Sequence, residues 1–133
     1  MIAPDKPIVV VVGTLHFDIM VDAPNRPRKG ETVTGSAWRP KFGGKGGNQA
    51  VAAAKAGAAV RMAGAVGDDG FGRFLLEALR TGDVDASSVA RLSNAGSGMS
   101  VAAGFDELST LSISDIGANL PLSSSIAIRG LWR

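Results

Sequence analysis

The sequence predicts an α/β fold, a parallel sheet with a small β excursion inserted after its first strand. Three observations predict it. Residues 8–12 form an apolar, β-branched run, and a glycine-rich stretch at 42–48 opens an alanine-rich helical segment. A second apolar run at 58–66 is then followed by a helically spaced apolar stripe. Strands alternating with helices in this way pack side by side as a parallel sheet.

Residues 8–12, Ile followed by four Val, come after Pro7 and stop at Gly13. A continuous apolar run of this kind reads as a central parallel strand covered on both faces. Residues 16–22 are mixed, and His16, Asp18 and Asp22 stand an even number of positions apart. They therefore share one face of a half-exposed strand. Pro24, Pro27 and Gly30 punctuate a loop. Residues 31–34 read as another half-exposed strand, with Trp38 as a lone large apolar anchor. A helix is predicted from Gln49 to Ala56, with Gly57 as its stop, and a buried strand over 58–66. Gly67-Asp68-Asp69-Gly70 reads as a turn whose acids favour a helix N-terminus. Phe71, Phe74, Leu75, Ala78 and Leu79 then fall on one helical stripe, ended by Gly82. Residues 99–104 look like a strand, 111–116 mix apolar and polar residues, and 122–133 show no clear element.

A chain of 133 residues holds one compact domain, and its 45% hydrophobic content excludes a disordered chain. Aromatics make up 5%, so the core is built from Val, Ala, Leu and Ile. The net charge of +2 comes without any block of like charges or basic run with aromatics, which argues against a nucleic-acid partner. The absence of cysteine excludes disulfides and thiolate chemistry. The longest apolar run is far too short to span a bilayer, so no membrane association is expected. With no targeting segment visible, a cytoplasmic location is the expectation.

The glycine-rich stretch Phe42-Gly43-Gly44-Lys45-Gly46-Gly47-Asn48 is neither of the familiar nucleotide loops. No Ser or Thr follows Lys45, and the glycines do not follow the first strand directly. Glycines at a helix N-terminus admit a ligand close to the backbone and expose N–H groups. Lys45 and Asn48 add donors suited to a small polyol. The pattern serves a plain surface turn before a helix equally well. Asp18, just beyond the first strand, lies where open α/β sheets bind ligands and can accept from two sugar hydroxyls; a solvated turn aspartate fits the same position. His16 is the only histidine, so a metal role is not expected and a solvent-facing or capping role is. Asp68 and Asp69 read as helix-capping residues rather than paired catalytic carboxylates, because adjacent side chains seldom converge on one atom.

In this order the pieces resemble the N-terminal portion of the ribokinase-like (PfkB) carbohydrate kinases, and within them the ribokinase branch. Residues 13–18, Gly30-Glu31-Thr32-Val33-Thr34-Gly35 and above all residues 43–54 carry the resemblance. Gly57-Ala58, Gly64 and residues 67–72 continue it. It covers residues 8–89 well. The resemblance implies a partial Rossmann-like parallel sheet with a small β-sheet lid, its strands around 19–21, 33–38 and 100–105. It implies that Asp18 binds sugar hydroxyls and that Gly44, Lys45 and Asn48 line the same pocket. His16 stands where ribokinases usually carry an asparagine that touches the sugar. A homodimer through the lid is a further implication.

The family's second signature, Asp-Thr-x-Gly-Ala-Gly-Asp, has no counterpart in the 133 residues. The resemblance assigns to it the catalytic base and the anion hole. ATP and Mg2+ are thus implied for the full-length family, with weak binding expected of this chain alone. The expectation is an ATP-dependent kinase of a ribose-like sugar, here truncated to its sugar-binding half and inactive by itself. The alternative is a non-catalytic module for sugar binding or lid-mediated pairing. Residues 1–120 are expected to be the family portion and 121–133 a non-family tail. The family's Asp-Gly turn is lost within 103–115, the likeness returns at Gly117-Ala118-Asn119-Leu120, and it then fades into a Ser-rich end. A truncated or disturbed reading frame near the end is the expectation drawn from that.

Overall fold

The computed structural model describes residues 5–105, 110–115 and 117–119. A parallel three-stranded sheet is formed by β1 (Ile8–Val12), β4 (Ala59–Gly67) and β5 (Val84–Leu92), in the order β1-β4-β5. A second sheet holds β2 (His16–Asp22), β3 (Ala37–Gly43), β6 (Met99–Gly104) and β7 (Thr110–Asp115), in the order β3-β2-β6-β7. Here β2 runs antiparallel to β3 and parallel to β6, and β6 antiparallel to β7. The predicted combination of parallel sheet and small β excursion is thus the fold observed.

Alternation puts Val9, Val11, Val60, Met62 and Val66 on one face of the parallel sheet. These residues form the core with Ala50 of α1 (Lys45–Lys55) and Leu75, Leu76 and Leu79 of α2 (Gly70–Thr81). Leu15, Met62, Val66, Leu75 and Leu79 are the largest side chains to be fully buried. The helical stripe has a second use. Phe71 and Phe74 leave the core to meet Phe17 of β2, with ring centroids 4.4 and 4.9 Å apart, stacked and edge-on. This aromatic trio joins the two sheets.

Helix boundaries have local causes. Asp69 caps α2, accepting from the Gly72 N–H at 2.8 Å. Gly57, at φ +98°, ends α1 in the left-handed turn that glycine adopts without strain. The Gly57 and Ala58 N–H groups donate back to the Ala54 and Ala53 carbonyls there.

Four sequence expectations need correction, and one strand went unread. First, β1 is not covered on both faces: Ile8, Val10 and Val12 are 81, 43 and 53% exposed, because β1 lies at the sheet edge with helices packed on its other face. Second, residues 31–34 are not a strand. Pairing in the second sheet ends at Asp22 opposite Ala37, so the segment before Ala37 has no strand to join. Third, Trp38 anchors nothing, being 67% exposed on β3 opposite Val21, beyond the part of that face that meets the core. Fourth, α1 starts at Lys45, so Gly46 and Gly47 form its first turn instead of preceding it. The unread strand is Val84–Leu92, where Asp85, Ser87, Ser88 and Arg91 break any apolar pattern. An edge position tolerates those polar residues, and Asp85 pairs across to Arg61 of β4 at 2.9 Å. Of residues 103–115, where the family's turn is lost, 106–109 lie outside the described residues, as does the Ser-rich end at 121–133.

Candidate functional site

The site grows from the C-terminal end of β1, where open α/β sheets bind ligands. Gly13 stays in line with the sheet by donating to the Ala63 carbonyl at 3.1 Å. The first turn of α1 then lies directly on this backbone: a Cβ on Gly46 would come within 2.8 Å of the Gly13 Cα and the Thr14 N. Only glycine allows that approach. Gly44, at φ +92°, turns the chain out of β3 into the helix, packed against Thr14, Leu15 and His16. The Gly47 N–H donates to the Thr14 carbonyl at 3.1 Å, and no side chain caps the helix.

On β2 the alternation works as predicted. Phe17 points into the core, while His16 and Asp18 face the other way. The Asp18 carboxylate lies over Gly43, where any side chain would collide with it. Parallel pairing sets Ser100 of β6 opposite Asp18, and the Ser100 hydroxyl donates to Asp18 Oδ1 at 2.6 Å. That bond holds one carboxylate oxygen in place and leaves the other available to a ligand.

These elements enclose an open cavity of about 440 Å³, lined by Thr14, His16, Asp18, Gly44, Lys45, Asn48 and Ser100. All five sequence-predicted residues, His16, Asp18, Gly44, Lys45 and Asn48, line this one cavity. Thr14 and Ser100 are additions. The Ser100 position carries no signal along the chain, because it comes opposite Asp18 only through the β2–β6 register. Asn119 is a third addition, buried behind the cavity wall. A second cavity, about 460 Å³, lies at the opposite ends of the strands beside Lys6, Arg80, Asp83 and Asp85. It is the wrong end of the sheet for a ligand site, and it lacks a glycine-rich helix N-terminus.

Asp68 and Asp69 do not form a catalytic pair. Asp68 faces Arg91 at 3.5 Å. Partial burial works against ionisation of Asp69, yet bonds from the Ser97 N–H and hydroxyl, the Gly72 N–H and the charge of Arg73 outweigh it. The carboxyl is held below its ordinary range, as suits a structural cap. Among the described residues no group of three or more His, Asp or Glu side chains converges to hold a metal.

The model of the pfkB family carbohydrate kinases matches residues 6–108. The chain belongs to this family. Among pfkB relatives, the ribokinase of Bacillus subtilis is 46% identical over 76 residues, covering 57% of this chain and 26% of that protein. The ribokinase of Mus musculus is 34% identical over 116 residues, 87% of this chain and 36% of that protein. Among solved structures, Arabidopsis thaliana ribokinase complexed with ribose and ATP superposes with a TM-score of 0.76 at 32% identity, covering 86% of this chain and 37% of that one. Ribokinase from Cryptococcus neoformans, in complex with ADP, gives 0.78 at 30% identity over 90% of this chain and 38% of its own. The chain thus spans between a quarter and two fifths of the length of these pfkB relatives.

Proposed function

We propose that this chain forms the sugar-holding half of a pfkB-type kinase acting on a ribose-like sugar. The observation that carries the reading is the convergence of His16, Asp18, Gly44, Lys45 and Asn48 on one cavity in a chain of this family. Asp18 accepts from sugar hydroxyls, Lys45 and Asn48 donate to them, and Gly44 lets the ring approach the backbone. His16 supplies a ring nitrogen on the same face and tunes which sugar is preferred.

Transfer of phosphate needs more than this grip, since catalysis of phosphoryl transfer rests on positioning and stabilising charge. ATP is the donor implied by relatives solved with ATP or ADP, and Mg2+ is proposed to accompany it. The Gly-Ala-Gly-Asp signature that would serve it is not among the 133 residues. These 133 residues are therefore proposed to bind sugar in the cytoplasm without supplying the transfer step, with family residues to 120 and a non-family tail at 121–133. Calorimetric titration with D-ribose and related pentoses is the direct test; no heat at millimolar sugar sinks the reading. A coupled ADP-release assay checks the rest, and turnover by the chain alone would overturn it. Sequencing the gene past the Arg133 codon shows whether a Gly-Ala-Gly-Asp coding region follows in any frame.

A second reading, pairing of two copies through the lid, is favoured by one observation. Ile19, Val101 and Ile113 form a row across β2, β6 and β7, with Val21 and Trp38 beside it, on the face opposite Asp18. Trp38 and Ile113 are 67 and 70% exposed. Light scattering decides it: a dimer that Trp38→Glu converts to monomer supports pairing, and a monomeric wild type excludes it.

A further inference from the structure

The wall of the sugar cavity is held from behind by a residue that is not part of its lining. Asn119 closes a single 3-10 turn, Gly117–Asn119, and is 6% exposed. Its side chain meets both backbone groups of one residue 104 positions earlier. The Leu15 N–H donates to Asn119 Oδ1 at 3.0 Å, and Asn119 Nδ2 donates to the Leu15 carbonyl at 2.9 Å. An amide side chain used in this way replaces the neighbouring strand that Leu15 lacks at this point. Leu15 is fully buried, and its neighbours Thr14 and His16 both line the cavity.

The turn that carries Asn119 is itself firmly mounted. The Ala118 N–H donates to the Gly96 carbonyl at 2.6 Å, and Gly117 packs against the backbone of residues 96–98. The same segment supports β2 through Phe17 N–H to the Gly98 carbonyl at 2.9 Å. Ser97 adds bonds to Asp69 and to the Gly67 N–H. Residues 13–16 are thus gripped from two sides, by the first turn of α1 at Gly44, Gly46 and Gly47 and by Asn119. Whichever way this segment moved, the distance between Asp18 on β2 and the helix N-terminus would change with it.

We infer that Asn119 is a positioning residue of the sugar site, fixing through Leu15 the spacing between Thr14–His16 and the N-terminus of α1. The inference rests on the sugar-pocket reading above. Its test compares Asn119→Ala with Val84→Ala, which cuts a buried core side chain at the far end of the sheet. Both lower thermal stability. Only Asn119→Ala should raise the sugar Kd, by about tenfold or more, since a buried N–H and carbonyl lose their partners. Amide exchange by NMR provides an independent readout, with the Leu15 and Gly47 amides losing protection in Asn119→Ala and keeping it in Val84→Ala. An unchanged Kd with Leu15 still protected overturns the inference. If the wild type binds no sugar, the pocket reading fails, while the exchange data alone still decide whether Asn119 holds this wall. Should Asn119→Ala fail to fold, Asn119→Ser keeps a small uncharged polar side chain without the two-point contact to Leu15, and the same comparisons apply.

Discussion

Replacing Gly46 by alanine sets helix propensity against packing, because the two act with opposite sign. Gly46 lies in the first turn of α1, and in a helix alanine is favoured over glycine by up to about 1 kcal/mol. On propensity alone the variant should be more stable. The added Cβ, however, would come within 2.8 Å of the Gly13 Cα, the Gly13 carbonyl carbon and the Thr14 N. All three are backbone atoms, and Gly13 is tied to Ala63 of β4 at 3.1 Å, so no flexible side chain can yield. Relieving the clash means moving the helix end by roughly 0.6–1 Å to reach ordinary contact, and overpacking of this kind costs about 1–3 kcal/mol. The net effect is destabilisation by about 1–2 kcal/mol, a fall in Tm of roughly 3–10 °C for a domain of this size. Thermal and urea unfolding followed by circular dichroism measure it. A Tm equal to or above that of the wild type would refute the argument that backbone contact, rather than loop flexibility, requires glycine here.

Asp18→Asn removes the charge facing the cavity and should weaken sugar binding by about ten- to a hundredfold, read by calorimetry, since bonds to a charged group contribute about 1.5–3 kcal/mol. Ser100→Ala frees Asp18 Oδ1 and should weaken binding less, within about tenfold; a larger effect than that of Asp18→Asn would contradict the assigned order. Asp69→Ala removes the α2 cap and should cost about 1 kcal/mol or more near neutral pH. Because the Asp69 carboxyl is held below its ordinary range when folded, its stabilisation is full above the unfolded value and is lost as pH falls through the folded one. The gap between wild type and Asp69→Ala in urea melts should therefore close between about pH 5 and pH 2, and a gap constant with pH would count against it. Leu79→Ala empties a fully buried site and should cost about 2–5 kcal/mol with no direct effect on the cavity residues.

Elements whose pattern is set by their own residues were legible along the chain. The stripe ending in Leu75 and Leu79, the cap at Asp69, the stop at Gly57 and the strand Met99–Gly104 all appear where the spacing puts them. So does the shared face of His16 and Asp18, because strand alternation is a local property. Elements whose character depends on a neighbour were not legible. The polar strand Val84–Leu92 is a strand because β4 offers it an edge, and the pattern of residues 31–34 lost to the register that begins at Ala37. The apolar run of β1 gave no hint that one of its faces would be exposed.

What the sequence by itself determined is the set of residues that line the candidate cavity: Asp18, Gly44, Lys45 and Asn48, with His16 beside them, are chemical groups placed by local turns and alternation. What only the tertiary structure decided is how they are held. Ser100 reaches Asp18 across 82 residues, Gly46 rests on Gly13 across 33, and Asn119 grips Leu15 across 104. Separations of that length leave no periodic trace in a chain. They arise when parallel pairing and helix packing bring distant backbones into contact, and a buried polar group there must find its partner.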